Sequence, residues 1–416
     1  MKLAGLIITV GLLAAFGLWL TPHLEFDQPF IGYSVAGAFL LFLASRPQKI
    51  ELAITSLLGL ILGIVITHQG LLPRMLVTLA AGFGLASVAV MISSFIWGFP
   101  RPRRQTWRAL APAATLIFFV GSAVHTLIAG FFRQHTYDLY AYAMDGSFGA
   151  QPSFAAGQMI HGKVWPTYAV VITYELVVIA IAAFYAAFMS RRERPLWELI
   201  ELLFGASLLG YVFYSVFPAT GPGYVFGMFP SDPVSFEQLK HFTPQSIPIS
   251  MHFPRNAVPS LHLGWALLIW WNSRSLPKWS QVMAGLFVLG TAFSALAIGE
   301  HYLFDFLVAM PFALMVQSLM IRTVKITDRS RWVPAVFGLV VFLIWLAIGR
   351  FGLPLMFLNK AIPWSLAIVS SAVCLTWAFQ LPPLIPEMQS ASLSAVLNPQ
   401  TADPLPSTSC DPVALA

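Results

Sequence analysis

Two short motifs place histidine beside residues that can assist proton transfer and nucleophilic attack. The first is Pro259-Ser260-Leu261-His262, and the second runs from His301 to Asp305. The two histidines are 39 positions apart, an interval that holds one hairpin of membrane helices. Because a hairpin returns the chain to the side on which it started, both imidazoles can face one phosphorus atom.

The first motif predicts a helix N-terminus, because Pro259 has the backbone dihedral suited to a first helical turn. Unpaired amide groups at such a terminus attract an anion. Ser260 adds a hydroxyl donor, and His262 can give or take a proton near neutral pH. Arg255, just upstream, offers a forked cation suited to phosphate. Pro-Ser is also a common way to open a membrane helix, and an interfacial histidine is often only hydrogen-bonded or solvated.

The second motif places His301 and Asp305 four positions apart, on one helix face and within hydrogen-bonding reach. An aspartate on one imidazole nitrogen fixes the tautomer and raises the nucleophilicity of the other nitrogen, as covalent attack by histidine requires. Asp305 also lies in an apolar run, where an ionisable side chain suggests a functional site. The alternative is an Asp–His pair that only joins two helices.

The composition predicts an all-α membrane protein that crosses the bilayer several times. Hydrophobic residues make up 58% of the chain and charged residues 10%, and the mean hydropathy is +0.76. A soluble globule with a polar shell is excluded by these values. We expect a bundle of about twelve transmembrane helices. The candidate spans are 3–20, 30–44, 50–67, 75–99, 109–131, 166–189, 199–217, 259–271, 280–298, 302–321, 332–348 and 361–379.

The basic residues predict the orientation. With a cytoplasmic N-terminus, 16 of the 23 Lys and Arg residues fall in inside segments, as the positive-inside rule requires. His262 and His301 then lie on the extracytoplasmic face, at a plasma or inner membrane. The net charge of +6 therefore reflects orientation, and nucleic-acid binding is not expected because no basic cluster is interleaved with exposed aromatic residues.

Polar residues divide the chain into four regions. Residues 1–108 form a four-helix scaffold with almost no ionisable residue at membrane depth. Residues 109–325 carry the long outside loops and form a six-helix catalytic core. Residues 326–380 hold two more transmembrane helices, and residues 381–416, rich in Pro, Ser and Ala, form a disordered cytoplasmic tail.

The two motifs together resemble the type 2 phosphatidic acid phosphatase superfamily of membrane phosphatases and phosphotransferases. Leu261, the Phe-Pro pair at 217–218 and His-Tyr at 301–302 look closest to its inositol phosphorylceramide synthase branch. The segment with Tyr137-Asp138, Asp145 and Gly149 looks like an aspartate-bearing loop of that branch. The resemblance covers about residues 109–325.

The resemblance implies a role for each motif residue. His301 is the nucleophile that forms a phosphohistidine, Asp305 orients it, and His262 protonates the leaving oxygen. The phosphatases have an arginine six positions before the nucleophile, where this chain has Ala295. The phosphate therefore needs other cations, and Arg255 is the first choice. Further candidates for substrate binding are Ser260, Arg133, Lys163 and Lys240.

Fewer cations favour a phosphodiester donor, which carries less charge than a monoester, so we expect head-group transfer to a lipid hydroxyl. The alternatives are hydrolysis of phosphatidate or polyprenyl diphosphate and, from another class, a lipid transporter or flippase. A transporter should place paired charges at mid-membrane depth in broken helices, whereas the ionisable candidates here lie at span ends. The partners expected are membrane lipids. The motifs call for no cofactor and no metal, because they contain neither a carboxylate cluster for Mg²⁺ nor a His/Cys set for zinc.

Overall fold

The structure, a computed structural model, describes most of the chain. It covers residues 2–20, 29–68, 75–120, 135–190, 196–226, 229–231, 234–249 and 253–384. The predicted tail from residue 385 onward and the end of the predicted span 109–131 lie outside the described residues.

The described residues form eighteen α-helices, numbered here in chain order. The first nine are α1 (Lys2–Leu20), α2 (Pro29–Ala44), α3 (Lys49–His68), α4 (Met75–Trp97), α5 (Arg103–Thr115), α6 (Asp138–Ser147), α7 (Pro152–Ile160), α8 (Val164–Glu175) and α9 (Val177–Met189). The other nine are α10 (Trp197–Tyr214), α11 (Pro222–Val225), α12 (Phe236–Lys240), α13 (Leu261–Asn272), α14 (Lys278–Ala297), α15 (Leu303–Met320), α16 (Arg329–Phe351), α17 (Leu353–Met356) and α18 (Ala361–Gln380). Two short antiparallel strands, β1 (His135–Thr136) and β2 (Ile247–Pro248), join the two long loops.

The prediction of an all-α polytopic bundle is confirmed. Among the described residues, seven helices are long and apolar enough to cross a membrane: α3, α4, α10, α14, α15, α16 and α18. The pair α8 and α9 would add an eighth span. The predicted count of about twelve is not confirmed. Helices α1 and α2 contribute shorter apolar segments, α13 has only 12 residues, and the predicted span 109–131 lies partly outside the described residues.

The predicted span 166–189 is bent. Helices α8 and α9 meet at an angle of 48°. Leu176 between them has a ψ of −9°, far from the helical value near −42°. Glu175, at the end of α8, is buried at this bend.

Helix α13 begins at Leu261, two residues after Pro259. Ser260 is the N-cap, and its hydroxyl accepts the Leu263 amide at 3.4 Å. The predicted placement of Ser260, Leu261 and His262 at a helix N-terminus is confirmed, but Pro259 precedes the helix instead of lying in its first turn, because the Ser260 hydroxyl caps the helix. The 12 residues of α13 span about 18 Å, less than the bilayer core of about 30 Å. All of them except Trp270 are buried inside the bundle.

Helix α15 lies at the centre of the bundle and packs against α6, α10, α13, α16 and α18. Near the C-terminal end of α15, Gln317 bonds to Asn272 of α13: the side-chain amide of each residue donates to the amide oxygen of the other, at 2.7 and 3.1 Å. Arg274, just after α13, donates to the carbonyls of Ala378 and Phe379 in α18. These polar contacts fix the register of α13, α15 and α18 inside an apolar core.

A buried ion pair joins the N-terminal helices. Arg101 Nε lies 2.7 Å from Glu51 Oε2, with the two side chains only 2% and 0% exposed. Arg101 also donates to the carbonyl and hydroxyl of Ser45, and Ser94 donates to Glu51 Oε1. Because Ser45, Glu51 and Ser94 come from three segments, the pair connects α2, α3 and α4 at one end.

Replacing Arg101 alone should strongly destabilise the protein. Arg101→Met leaves the Glu51 carboxylate buried without its cation, at a cost of about 3–5 kcal/mol. The double variant Arg101→Met/Glu51→Met should regain much of that loss, since no buried charge remains unpaired. Thermal unfolding in detergent micelles measures both, with the exposed Arg104→Met as the control. Equal destabilisation by the single and double variants would contradict this role of the ion pair.

Candidate active site

His301 and Asp305 form a hydrogen-bonded pair at the start of α15. Asp305 Oδ2 lies 3.0 Å from His301 Nδ1. Because a carboxylate oxygen accepts, Nδ1 carries the proton and Nε2 carries the lone pair. Nε2 lies 3.2 Å from the Ser260 hydroxyl. The imidazole is thus held at both nitrogens, with its basic nitrogen facing the first motif.

The local sequence explains why this turn has a fixed shape. Tyr302 is the N-cap of α15, and its amide donates to Asp305 Oδ2 at 2.9 Å, in a capping box. The next two amides, those of Leu303 and Phe304, donate to the two oxygens of Asp145 at 2.9 and 3.0 Å. Carboxylates therefore satisfy the first amides of α15, which are not available to an anionic substrate.

Asp145 lies in α6 and is completely buried among these groups. Burial raises the pKa of its carboxyl to about 8, while its bonds to the Leu303 and Phe304 amides act in the opposite direction. The aspartate of the loop singled out in the sequence thus supports the helix that carries His301 and Asp305.

Asp138, at the start of α6, holds a second segment in place. Its Oδ1 accepts the amides of Thr220 and Gly221, both at 3.0 Å, and the Tyr302 hydroxyl at 3.2 Å. Burial raises the pKa of the Asp138 carboxyl, and its hydrogen bonds lower it. Asp138 therefore joins the segment of Thr220 and Gly221, which follows the Phe-Pro pair at 217–218, to Tyr302 in the second histidine motif.

Glycines allow residues 221–223 to lie directly against residues 299–300, the turn before His301. Gly299 has a φ of +78°, and its carbonyl accepts the Gly223 amide at 2.8 Å. A Cβ on Gly221, whose φ is +104°, would lie 2.3 Å from the Glu300 carbonyl oxygen. The two backbones touch, so a side chain at Gly221 would force them apart.

His262 lies in the first turn of α13 and is buried. Its ring stacks on Tyr174, with centroids 3.9 Å apart and planes within 17°. The His262 and His301 rings are 5.9 Å apart, centroid to centroid. The structure thus brings together Ser260, His262, His301 and Asp305, four of the residues predicted from the sequence.

The surroundings of His301 keep its ring neutral. Burial lowers the pKa of His301 to about 4, and the charge of Glu300 and the Ala257 carbonyl act in the opposite direction. A neutral imidazole retains the Nε2 lone pair that nucleophilic attack needs.

The predicted phosphate-binding cations differ in how far they are buried. Arg255 is buried, and its guanidinium donates to the carbonyls of Phe253 and Ile249, both at 2.9 Å. Burial lowers the pKa of Arg255, and the charge of Asp138 raises it, so the two side chains are within electrostatic reach. Lys163 and Lys240 are exposed, and Lys163 donates to the Met159 carbonyl at 2.9 Å. Arg133 lies outside the described residues.

Three residues at this site were not identified from the sequence: Tyr174, Glu175 and Tyr224. Glu175 is an ionisable residue in an apolar run, and that signal could have indicated it. The tyrosines gave no signal, because their role depends on which histidine or glutamate they contact in the fold. Among the residues that the structure describes, no group of three or more His, Cys, Asp or Glu side chains could hold a metal ion.

No curated protein and no solved structure shows significant similarity to this chain. Residues 140–319 match a family model of the PAP2 superfamily. The matched region includes Ser260, His262, His301 and Asp305 and excludes the N-terminal helices. Residues 140–319 are therefore similar to the PAP2 superfamily, and this similarity indicates a phosphatase or phosphotransferase enzyme.

Proposed function

We propose that this protein transfers the phosphate-linked head group of a membrane phospholipid to a lipid hydroxyl through a phosphohistidine on His301. One observation carries the proposal: His301 Nδ1 is bonded to Asp305 while Nε2 faces Ser260 Oγ at 3.2 Å. A histidine prepared in this way has one basic nitrogen directed at a neighbouring hydroxyl donor, where a phosphate can bind.

In the first step, the lone pair of His301 Nε2 attacks the phosphorus atom of the donor lipid. The bond between phosphorus and the leaving alkoxide oxygen breaks, and His262 acts as the general acid that gives that oxygen a proton. The Ser260 hydroxyl turns from Nε2 to a phosphate oxygen as the substrate binds. Asp305 stabilises the positive charge that develops on the His301 ring.

In the second step, the hydroxyl of the acceptor lipid attacks the phosphohistidine. The N–P bond breaks, and His262, now neutral, takes the hydroxyl proton and returns to its starting state. Water in place of the acceptor gives hydrolysis by the same steps. The acceptor therefore decides between transferase and phosphatase activity.

The available positive charge favours a diester donor. Ala295 stands where the phosphatases have an arginine, and among the predicted cations that the structure describes only Arg255 is buried near Asp138. A diester phosphate has one negative charge and a monoester up to two. Together with the resemblance to inositol phosphorylceramide synthases, this favours transfer of an inositol phosphate type of head group.

We place the reaction on the extracytoplasmic face of the membrane. The distribution of 16 of 23 basic residues in the predicted inside segments supports this side. The substrates are then lipids that reach the site from the membrane.

An assay with purified protein tests the proposal. The donors are labelled phosphatidylinositol, phosphatidate and polyprenyl diphosphate, each with and without ceramide or diacylglycerol as acceptor. Label that moves to the acceptor lipid supports transfer. Release of water-soluble phosphate from phosphatidate or polyprenyl diphosphate alone would instead identify a lipid phosphate phosphatase.

Substitutions in the two histidine motifs should impair the reaction in different ways. We expect His301→Ala to abolish both transfer and hydrolysis, because no nucleophile remains. His262→Ala should impair a donor with an alkoxide leaving group far more than one with an acidic phenol, which leaves without a proton. Asp305→Asn should fold but turn over slowly, since the tautomer of His301 is no longer held. Full activity of His301→Ala in a purified preparation would reject the phosphohistidine and favour a lipid transporter.

The pH dependence should show the lowered pKa of His301. With a pKa of about 4, the ring stays neutral well below the ordinary value of about 6.5. For a donor with an acidic phenol leaving group, which needs no proton from His262, kcat/KM should fall about tenfold per pH unit as the pH falls below about 4, because the His301 ring gains a proton and loses its lone pair. Measurement of kcat/KM from pH 3.5 to 7 in micelles checks this. An acid limb centred near pH 6.5 would contradict a neutral, buried nucleophile.

Arg255→Ala should lower turnover on the order of a thousandfold, comparable to the loss of one preorganised donor that stabilises developing charge. Lys163→Ala, Lys240→Ala and Arg133→Ala should each cost less and serve as controls for the loss of one positive charge. Near-normal activity of Arg255→Ala would place the phosphate-binding cation elsewhere.

A further inference from the structure

Glu300 directly precedes the nucleophile and is held in a fixed position. Its Oε1 accepts the Tyr224 hydroxyl at 2.9 Å, and its amide donates to the Ala295 carbonyl at 3.1 Å. Its carbonyl lies against Gly221, where there is no room for a Cβ. The half-buried carboxylate is therefore fixed in place through both its backbone and its side chain.

The charge of Glu300 reaches His301 and the tyrosine that stacks on His262. Its carboxylate interacts electrostatically with His301 and with Tyr174. Tyr174 in turn stacks on His262 at 3.9 Å and lies 6.4 Å from the His301 ring, centroid to centroid. A phosphate bound at His301 Nε2, between the two imidazoles, lies within range of this negative charge.

A second buried carboxylate strengthens the field on the same side. Glu175, at the bend between α8 and α9, interacts electrostatically with Tyr174 and with Tyr224. Both tyrosines therefore feel the two glutamates together. A substrate phosphate meets this negative field while Arg255 supplies the proposed positive charge.

We propose that Glu300, positioned by Tyr224, is a specificity-determining residue that disfavours phosphate monoesters and so selects phosphodiester lipids as donors. The inference rests on the proposed function, because it concerns the phosphate bound at His301. Repulsion by a fixed charge grows in proportion to the charge of the ligand. A dianionic monoester is therefore repelled about twice as strongly as a monoanionic diester. Specificity then comes from a repulsive group as well as from attractive contacts.

Removal of the charge should change the preference between two donors. We expect Glu300→Gln to raise the ratio of kcat/KM for phosphatidate to that for a diester phospholipid by about tenfold to a hundredfold, as the loss of one nearby charge predicts. Glu237→Gln removes a charge from an exposed position in α12, and its ratio should stay within about twofold of the wild-type ratio. A ratio that is unchanged or lower in Glu300→Gln would overturn the proposal.

A further variant separates the effect of the Glu300 charge from that of its hydrogen bond with Tyr224. Tyr224→Phe removes the partner of Glu300 but keeps its charge, so the ratio should not rise as it does in Glu300→Gln. If both variants raise the ratio equally, Glu300 acts only as an anchor for Tyr224 and the proposal is wrong. If Glu300→Gln does not fold, the double variant Glu300→Ala/Tyr224→Phe removes the charge and the orphaned hydroxyl together, and the same ratio is measured.

A binding experiment keeps this inference distinct from the proposed function. If no lipid is turned over, the proposed function fails. Calorimetry at pH 7.5 then compares inorganic phosphate with dimethyl phosphate, a monoanion. Glu300→Gln should tighten the binding of inorganic phosphate about tenfold or more relative to dimethyl phosphate. Equal changes for both anions, or none, would overturn the assignment of Glu300.

Discussion

Two carboxylates at the start of α15 determine the geometry of the candidate site. Asp145 accepts the amides of Leu303 and Phe304, and Asp305 accepts the amide of Tyr302. The positive end of the helix dipole favours the ionised form of both carboxyl groups, against the burial that raises the pKa of Asp145. Because Oδ2 of Asp305 also binds His301 Nδ1, the helix terminus orients the imidazole. These amides are not available to a phosphate, and we propose that Ser260 and Arg255 bind it instead.

The same polar groups connect segments that are distant in the chain. Asp145 is 158 and 159 positions from the amides that it binds, and Asp138 is 82 and 83 positions from the amides of Thr220 and Gly221. Burying a carboxylate is costly unless hydrogen bonds replace its hydration. Each aspartate therefore stabilises the fold only when its partner segment is in place, so the site and the packing of α6 against α15 form together.

The part of the site that rests on local spacing could be predicted from the sequence. His301 and Asp305 are four positions apart on one turn, and that spacing alone puts them in hydrogen-bonding reach. The composition was sufficient for an all-α membrane bundle. The supports of the turn could not be predicted, since the partners of Asp138 and Asp145 depend on long-range packing. The bend at Leu176 was also missed, because the residues around it, from α8 through α9, are mostly apolar and hydropathy does not report a backbone angle.

The relative position of the two histidines is defined at both ends of α13 and α15. At one end the Ser260 hydroxyl meets His301 Nε2, and at the other Asn272 and Gln317 bond to each other inside the core. Two helices that are joined by polar contacts at both ends cannot slide or rotate independently without losing buried hydrogen bonds. The 5.9 Å between the His262 and His301 rings is therefore a property of the bundle as a whole. In the proposed mechanism, in which His301 is the nucleophile and His262 the acid, this spacing sets where the phosphorus atom of the donor must bind.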